Sequence, residues 1–157
     1  MMIHTYRYGS PRVEGEGLRI GTARYVPRGV RREDWQTRGY FDIWLPLLAP
    51  EPEAIRKFLG GELTFAAFSR QYHRRMKVPE CRQVITLLAG VSLVQPLSLG
   101  CYCEDESRCH RSLLAKLVRA EAQKIRPGIT AAFSLRGGAE RYFSSPVCYA
   151  DGEEEPS

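Results

Sequence analysis

One uncharged stretch, from Val84 to Cys103, does most to restrict the fold of this chain. It is long enough to cross a membrane, but Gly90, Pro96 and Gly100 interrupt it and its hydrophobicity is modest. The stretch therefore predicts the buried end of a helix, a turn, and a fully buried strand over residues 96–102. Helical patterns precede and follow that strand, which is typical of an α/β domain with a parallel or mixed sheet.

Apolar periodicity and turn residues place the other elements. The β-rich residues 3–8 and 18–23 predict two strands, and residues 30–49 look irregular apart from one helical turn. Helices are expected after Pro50, after Thr64, from Pro79 to a stop at Gly90, and from near Ser107 to a stop before Pro127. Residues 129–149 fit either a hairpin or an irregular wrap.

The domain prediction follows from these elements. We expect a single α/β domain over residues 1–150, built as a three-layer sandwich around a parallel or mixed central sheet. The acidic residues 151–157 are predicted to be a disordered tail. The sequence leaves the oligomeric state open.

Charge and cysteine content narrow the possible partners. The chain of 157 residues has 23 Lys and Arg against 18 Asp and Glu, and several of the acids lie in the last seven residues. A body this basic suits phosphate-bearing partners.

The first residues lack the features of a signal peptide, and the spacing of the five cysteines is not that of a small secreted domain. A cytoplasmic protein with reduced thiols and no membrane partner is therefore expected.

Residues 99–112 concentrate the reactive side chains in a strand–loop–helix pattern. They include Cys101, Cys103, Arg108, Cys109, His110 and Arg111. In a first interpretation, the start of the helix binds an anion, because its backbone N–H groups and two first-turn arginines attract negative charge. Alternatively, the acidic residues 104–106 neutralise the positive charge at the helix start, in place of an external anion.

Two further interpretations concern the thiols. Cys103 or Cys109 is a candidate nucleophile, because a helix start beside His and Arg lowers a thiol pKa; however, Arg108 comes one residue too early after Cys103 for a phosphatase-like loop. Cys101, Cys103, Cys109 and His110 have the right identities for zinc but lack a Cys-x2-Cys pair. Cys109 and His110 are also expected to diverge by a helical step, so neither a metal nor a cofactor is predicted. A further alternative is that these cysteines are buried and only fill the hydrophobic core.

The predicted site combines two loops. In parallel sheets ligands bind at the carboxyl ends of strands, here the loop over residues 24–31 and the loop over residues 101–111. Ligand-binding roles are assigned to Arg24, Arg28, Asp42, Trp44, Arg108 and Arg111, and catalytic roles to Cys103, Cys109 and His110. The expected ligand is a phosphate-bearing small molecule or nucleic acid. A thiol-dependent enzyme, or a structural protein without a pocket, are the alternatives.

Several motifs resemble those of the YeaO-like proteins of the DUF488 family. They are residues 24–29, residues 40–50, the pair Phe68 and Tyr72, the run Leu99-x-Cys101-x-Cys103-Glu104, and Cys109-His110-Arg111. The resemblance spans about residues 18–122. It implies a small cytosolic α/β protein of prokaryotes and supplies no established reaction. One departure is Ala23, where the family commonly carries an acid before the arginine that matches Arg24.

Overall fold

Four strands form the central sheet. The computed structural model describes the backbone of residues 2–134 and the side chains of residues 2–125. The strands are β1 (Ile3–Arg7), β2 (Leu18–Gly21), β3 (Ile43–Trp44) and β4 (Leu97–Cys101). Their order is β1-β4-β2-β3, and all three pairings are parallel. The central strand β4 is buried over its whole length, which confirms the prediction of an α/β fold on a parallel sheet.

Four helices complete the regular structure of residues 2–134. They are α1 (Pro52–Leu59), α2 (Phe65–Arg75), α3 (Pro79–Ser92) and α4 (His110–Ser134). Short 3-10 turns occupy Arg32–Asp34, Pro46–Leu48 and Glu106–Arg108. As predicted, Thr64 caps α2: its hydroxyl oxygen accepts from the Ala67 N–H at 3.2 Å. Within the part of the chain that the structure covers, no helix has the length and apolar character to span a membrane.

Three predicted helix boundaries are wrong. Gly90 does not end α3, which continues for two more residues because a single glycine only weakens a helix. The fourth helix begins at His110 rather than near Ser107, and it runs past Pro127, since a helix continues through proline by giving up one hydrogen bond. Met1–Arg126 forms one compact unit. The predicted acidic tail lies outside the described residues.

The two faces of the sheet carry different layers. Ile20 and Leu99 share one face because they are register partners, and Leu97 shares it because it lies two residues before Leu99 on the same strand. All three belong to the core formed with the four helices. The opposite face holds a smaller cluster that includes Tyr6 and Phe41. Among the described residues, loops rather than helices cover that second face, so they form the third layer of the predicted sandwich.

The fully buried Arg19 holds the loops against the second face of the sheet through hydrogen bonds. The Nε atom of Arg19 donates to the Glu16 carboxylate at 2.8 Å, and its guanidinium lies over the ring of Tyr6 at 4.3 Å from the centroid. It also donates to the main-chain carbonyls of Ser10, Pro11 and Gly39. This buried cation is paired and hydrogen-bonded, as burial of a charge requires.

Candidate functional site

Three sulfur atoms converge at the carboxyl end of β4. Cys101 is the last residue of that strand, Cys103 follows it in the loop, and Cys109 directly precedes α4. Their Sγ atoms all lie within 4.8 Å of one another, and those of Cys101 and Cys103 are 3.6 Å apart. All three are free thiols. Cys101 and Cys109 are buried, whereas Cys103 is half-buried, so it is the member of the cluster open to solvent.

His110 joins this cluster through one ring nitrogen. Its Nδ1 atom lies 3.8 Å from the Sγ atoms of both Cys101 and Cys109. Its Nε2 atom lies 3.0 Å from the Thr22 carbonyl oxygen and 3.1 Å from the Thr22 hydroxyl. Because a carbonyl only accepts hydrogen bonds, Nε2 carries the proton and Nδ1 presents a lone pair to the thiols. Burial lowers the pKa of His110 to about 4, so the ring is neutral at neutral pH.

The backbone before α4 explains why Cys109 and His110 face the same sulfur atoms. Cys109 has an extended conformation, with φ −125° and ψ 146°, and the helix starts only at the next residue. The sequence prediction placed both residues inside a helix that began near Ser107, where their side chains diverge. With the later helix start the two side chains converge, and the expected obstacle to a four-group cluster is removed.

The thiols share their protons unequally. Hydrogen bonds from the thiols of Cys101 and Cys109 hold the pKa of Cys103 far below its ordinary value, and the nearby charge of Arg111 acts in the same direction. The bond to Cys103 raises the pKa of Cys101 to about 11, and the bonds to Cys101 and Cys103 raise that of Cys109. Of the three thiols, the half-buried Cys103 is therefore the one whose ionised form its neighbours favour.

Arg111 lies under the site with its charge buried. The residue is 3% exposed, and its Nη1 atom donates to the carbonyl oxygens of Cys103 at 2.8 Å and Tyr6 at 3.2 Å. Its Nε atom is also buried and has no partner among the residues that the structure describes. Arg111 thus ties the ends of β1 and β4 together instead of reaching outward to a ligand.

The other predicted arginines have separate partners. Arg24 donates to the Pro50 carbonyl at 2.9 Å. The guanidinium of Arg108 lies over the ring of Phe58, 5.4 Å from its centroid, and Arg28 is exposed. Arg24, Arg108 and Arg111 thus contact different groups of the protein. The directions of Arg24 and Arg108 depend on the Pro50 carbonyl and the Phe58 ring, which are distant in the sequence and which the sequence pattern does not reveal.

The two loops nevertheless meet along one edge of the sheet. Besides the contact between Thr22 and His110, the Tyr102 hydroxyl donates to the Tyr25 carbonyl at 3.3 Å. Arg28 lies close enough to Tyr102 to act electrostatically on its phenol. The carboxyl ends of β2 and β4 therefore form a common rim, as parallel pairing predicts.

Asp42 and Trp44 lie away from the thiols. The Asp42 carboxylate accepts from the Arg19 N–H at 2.8 Å and pairs with Arg12, and the Trp44 indole donates to the Ala23 carbonyl at 2.9 Å. Both line an open cavity of about 850 Å³ whose other lining residues are Arg32, Glu33, Trp35, Gln36, Phe41 and Ile43. No residue of the thiol cluster lines this cavity.

The acidic loop before α4 is engaged by other groups. Glu104 pairs with Arg7 at 2.9 Å, and the Asp105 carboxylate accepts from the Ser107 N–H at 2.9 Å. Glu106 accepts from the hydroxyl of Thr5. These contacts anchor the loop. Hydrogen bonds from Ser107 lower the pKa of Asp105, and the charge of Arg108 acts in the same direction, as the alternative of internal neutralisation expects for that arginine.

Comparison with known proteins places the chain in a family. Residues 3–122 match the family model described as "Active DUF488-N3 subclade". The chain belongs to the DUF488-N3 family. The match covers all four strands and the whole thiol cluster, and it confirms the resemblance drawn from the motifs. This DUF488-N3 protein is also similar to "Uncharacterized protein YeaO" of Escherichia coli (strain K12), with 28% identity over 120 residues, 76% of this chain and 99% of that protein. No solved structure matches it.

Proposed function

We propose that this DUF488-N3 protein is a thiol-dependent enzyme in which Cys103 is the reactive group. The observation that carries the proposal is the convergence of the Cys101, Cys103 and Cys109 sulfur atoms at the carboxyl end of β4, with the His110 Nδ1 atom beside Cys101 and Cys109. Ligands of parallel sheets bind at that edge. The description of the matched subclade as active supports a catalytic role.

The arrangement supplies what a thiol nucleophile needs. The thiolate rather than the thiol is the nucleophile. The thiol of Cys101 donates to the Cys103 sulfur, which stabilises its negative charge, and the unprotonated His110 Nδ1 atom faces the thiol of Cys109. Attack forms one bond from Cys103 Sγ to an electrophilic atom of the substrate, and the leaving group departs with its bonding electron pair.

Alkylation of the metal-free protein tests this proposal. Iodoacetamide at neutral pH, with the modified residues mapped by mass spectrometry, is expected to label Cys103 several times faster than a free cysteine. Cys81 is the internal control, because it is fully buried in α3 and burial raises its pKa. Cys103→Ser removes the fast phase and Cys81→Ser leaves it. A Cys103 that reacts no faster than free cysteine contradicts the proposal.

The second candidate function is binding of a phosphate-bearing small molecule or nucleic acid. It is favoured by the rim where the Tyr25 carbonyl meets Tyr102, with the exposed Arg28 beside it. Among the ligand-binding residues predicted from the sequence, Arg28 is the one beside this rim. Titrations with inorganic phosphate and with a short oligonucleotide separate the two ligand sources. Affinity is expected to fall with salt and with Arg28→Ala; affinity unchanged by both contradicts this candidate.

A further inference from the structure

We propose that the thiol cluster is a zinc site whose ligands are the Sγ atoms of Cys101, Cys103 and Cys109 and the Nδ1 atom of His110. Cysteine sulfur and histidine nitrogen are the ligands that structural zinc prefers. The inference deepens the proposed function and rests on it in one respect, which is the reactivity of Cys103. Because zinc takes the Cys103 sulfur as a ligand, metal occupancy determines when the reactive thiolate is available.

The spacing of the four groups fits a tetrahedral ion. With zinc–sulfur bonds of about 2.3 Å and zinc–nitrogen bonds of about 2.0–2.1 Å, ligand atoms lie about 3.8 Å apart for two sulfurs and about 3.5 Å apart for sulfur and nitrogen. The separation of the Cys101 and Cys103 sulfurs is 3.6 Å, and His110 Nδ1 lies 3.8 Å from the sulfurs of Cys101 and Cys109. Three of the six edges of a tetrahedron are thus close to these lengths, and the other two sulfur–sulfur separations are within 4.8 Å.

The contacts behind His110 fit a metal ligand. Histidine ligands usually donate their second ring N–H to a carbonyl or carboxylate, which fixes the tautomer and the orientation of the ring. Here Nε2 donates to the Thr22 carbonyl, and the Thr22 hydroxyl is itself oriented by its bond to the Gly100 carbonyl at 2.8 Å. Nδ1 is therefore unprotonated and directed at the sulfur atoms, as metal binding requires.

The buried charge of Arg111 suits a zinc centre, as it suits the Cys103 thiolate of the metal-free cluster. Its side chain has no acidic partner within residues 2–125, although a buried cation is costly unless it is paired. A zinc ion with three thiolates carries one net negative charge. The position of Arg111, bonded to the carbonyl of Cys103, supplies the compensating positive charge beside that centre.

Metal titration of the full chain tests the site. After removal of metal under reducing conditions, Co²⁺ is the spectroscopic probe and Zn²⁺ competes for its place. We expect one equivalent to bind with thiolate charge-transfer absorption and the visible bands of tetrahedral Co²⁺. Cys109→Ser and His110→Gln are expected to weaken binding by at least about tenfold. Cys81→Ser is the matched control and leaves binding unchanged, because the Cys81 thiol contacts the Leu47 carbonyl instead.

The outcomes separate the two proposals. If Co²⁺ produces no thiolate absorption while Cys103 of the metal-free protein alkylates rapidly, the zinc site is overturned and the proposed enzyme stands. If the thiolate absorption appears while Cys103 alkylates slowly, the zinc site stands and the proposed enzyme fails. If the thiolate absorption appears and Cys103 of the metal-free protein also alkylates rapidly, one equivalent of Zn²⁺ is expected to suppress that alkylation. Should the ligand variants unfold, wild-type stoichiometry and the Co²⁺ spectrum still decide the question.

Discussion

The Nε2 atom of His110 lies 3.0 Å from the carbonyl oxygen of Thr22. This contact joins the first residue of α4 to the residue that follows β2, and it determines which ring nitrogen carries the proton. Because the other nitrogen then faces the sulfur atoms of Cys101 and Cys109, the chemistry of the cluster depends on it.

Acidification of the metal-free protein is expected to destabilise it through His110. Burial lowers the pKa of His110 from 6.5 to about 4 in the folded state. Between these values the unfolded chain binds a proton that the folded chain does not, so the free energy of unfolding falls as pH falls, by up to about 3 kcal/mol. Urea unfolding in steps from neutral pH to about pH 4.5 measures this slope.

His110→Gln is the control for that slope, because glutamine does not titrate and retains an N–H donor for the Thr22 carbonyl. The wild-type protein should lose more stability on acidification than the variant, and carboxylates that titrate in both cancel in the comparison. Equal slopes in the two proteins would show that the buried ring does not contribute.

Replacement of the two neighbouring arginines should have unequal effects. Arg111→Met leaves the carbonyls of Tyr6 and Cys103 without their buried donor and is expected to lower the free energy of unfolding by about 2–4 kcal/mol. Arg108→Ala removes only an exposed contact with the Phe58 ring and should cost less than about 1 kcal/mol. Denaturant midpoints compare them, and similar losses would refute the assigned roles.

Two glycines make a second matched pair. A Cβ atom at Gly100 would lie 2.2 Å from the ring of Tyr6, so Gly100→Ala should destabilise the protein by at least about 1–3 kcal/mol. A Cβ atom at Gly90 meets nothing within 4 Å, and Gly90→Ala in the helical interior should stabilise by about 0.5–1 kcal/mol. Thermal unfolding of both variants checks the signs. A neutral Gly100→Ala would mean that Tyr6 does not pack against β4 as described.

Much of the fold was predictable because its signals are local. The uncharged run that becomes β4 and the Thr64 cap each act within a few residues of sequence. The strand β3 was missed, since two residues are too few for a pattern. Ile43 and Trp44 are a strand only because they pair with Ile20 and Gly21.

The site was predictable in its residue types but not in its geometry. The convergence of Cys109 and His110 depends on one extended residue before α4, a backbone detail that the sequence does not signal. The directions of Arg24 and Arg111 depend on carbonyl groups of Pro50 and Cys103 that only the tertiary fold brings near. The residue types therefore predicted the chemistry of the site. The backbone before α4 and the long-range contacts determine which side chains lie together.

X-ray absorption at the zinc edge of the zinc-loaded protein tests most directly whether Cys101, Cys103, Cys109 and His110 form one centre. The predicted result is a coordination shell of three sulfur atoms at about 2.3 Å and one nitrogen at about 2.0–2.1 Å. A shell of nitrogen and oxygen alone, or one with fewer than three sulfurs, would contradict it.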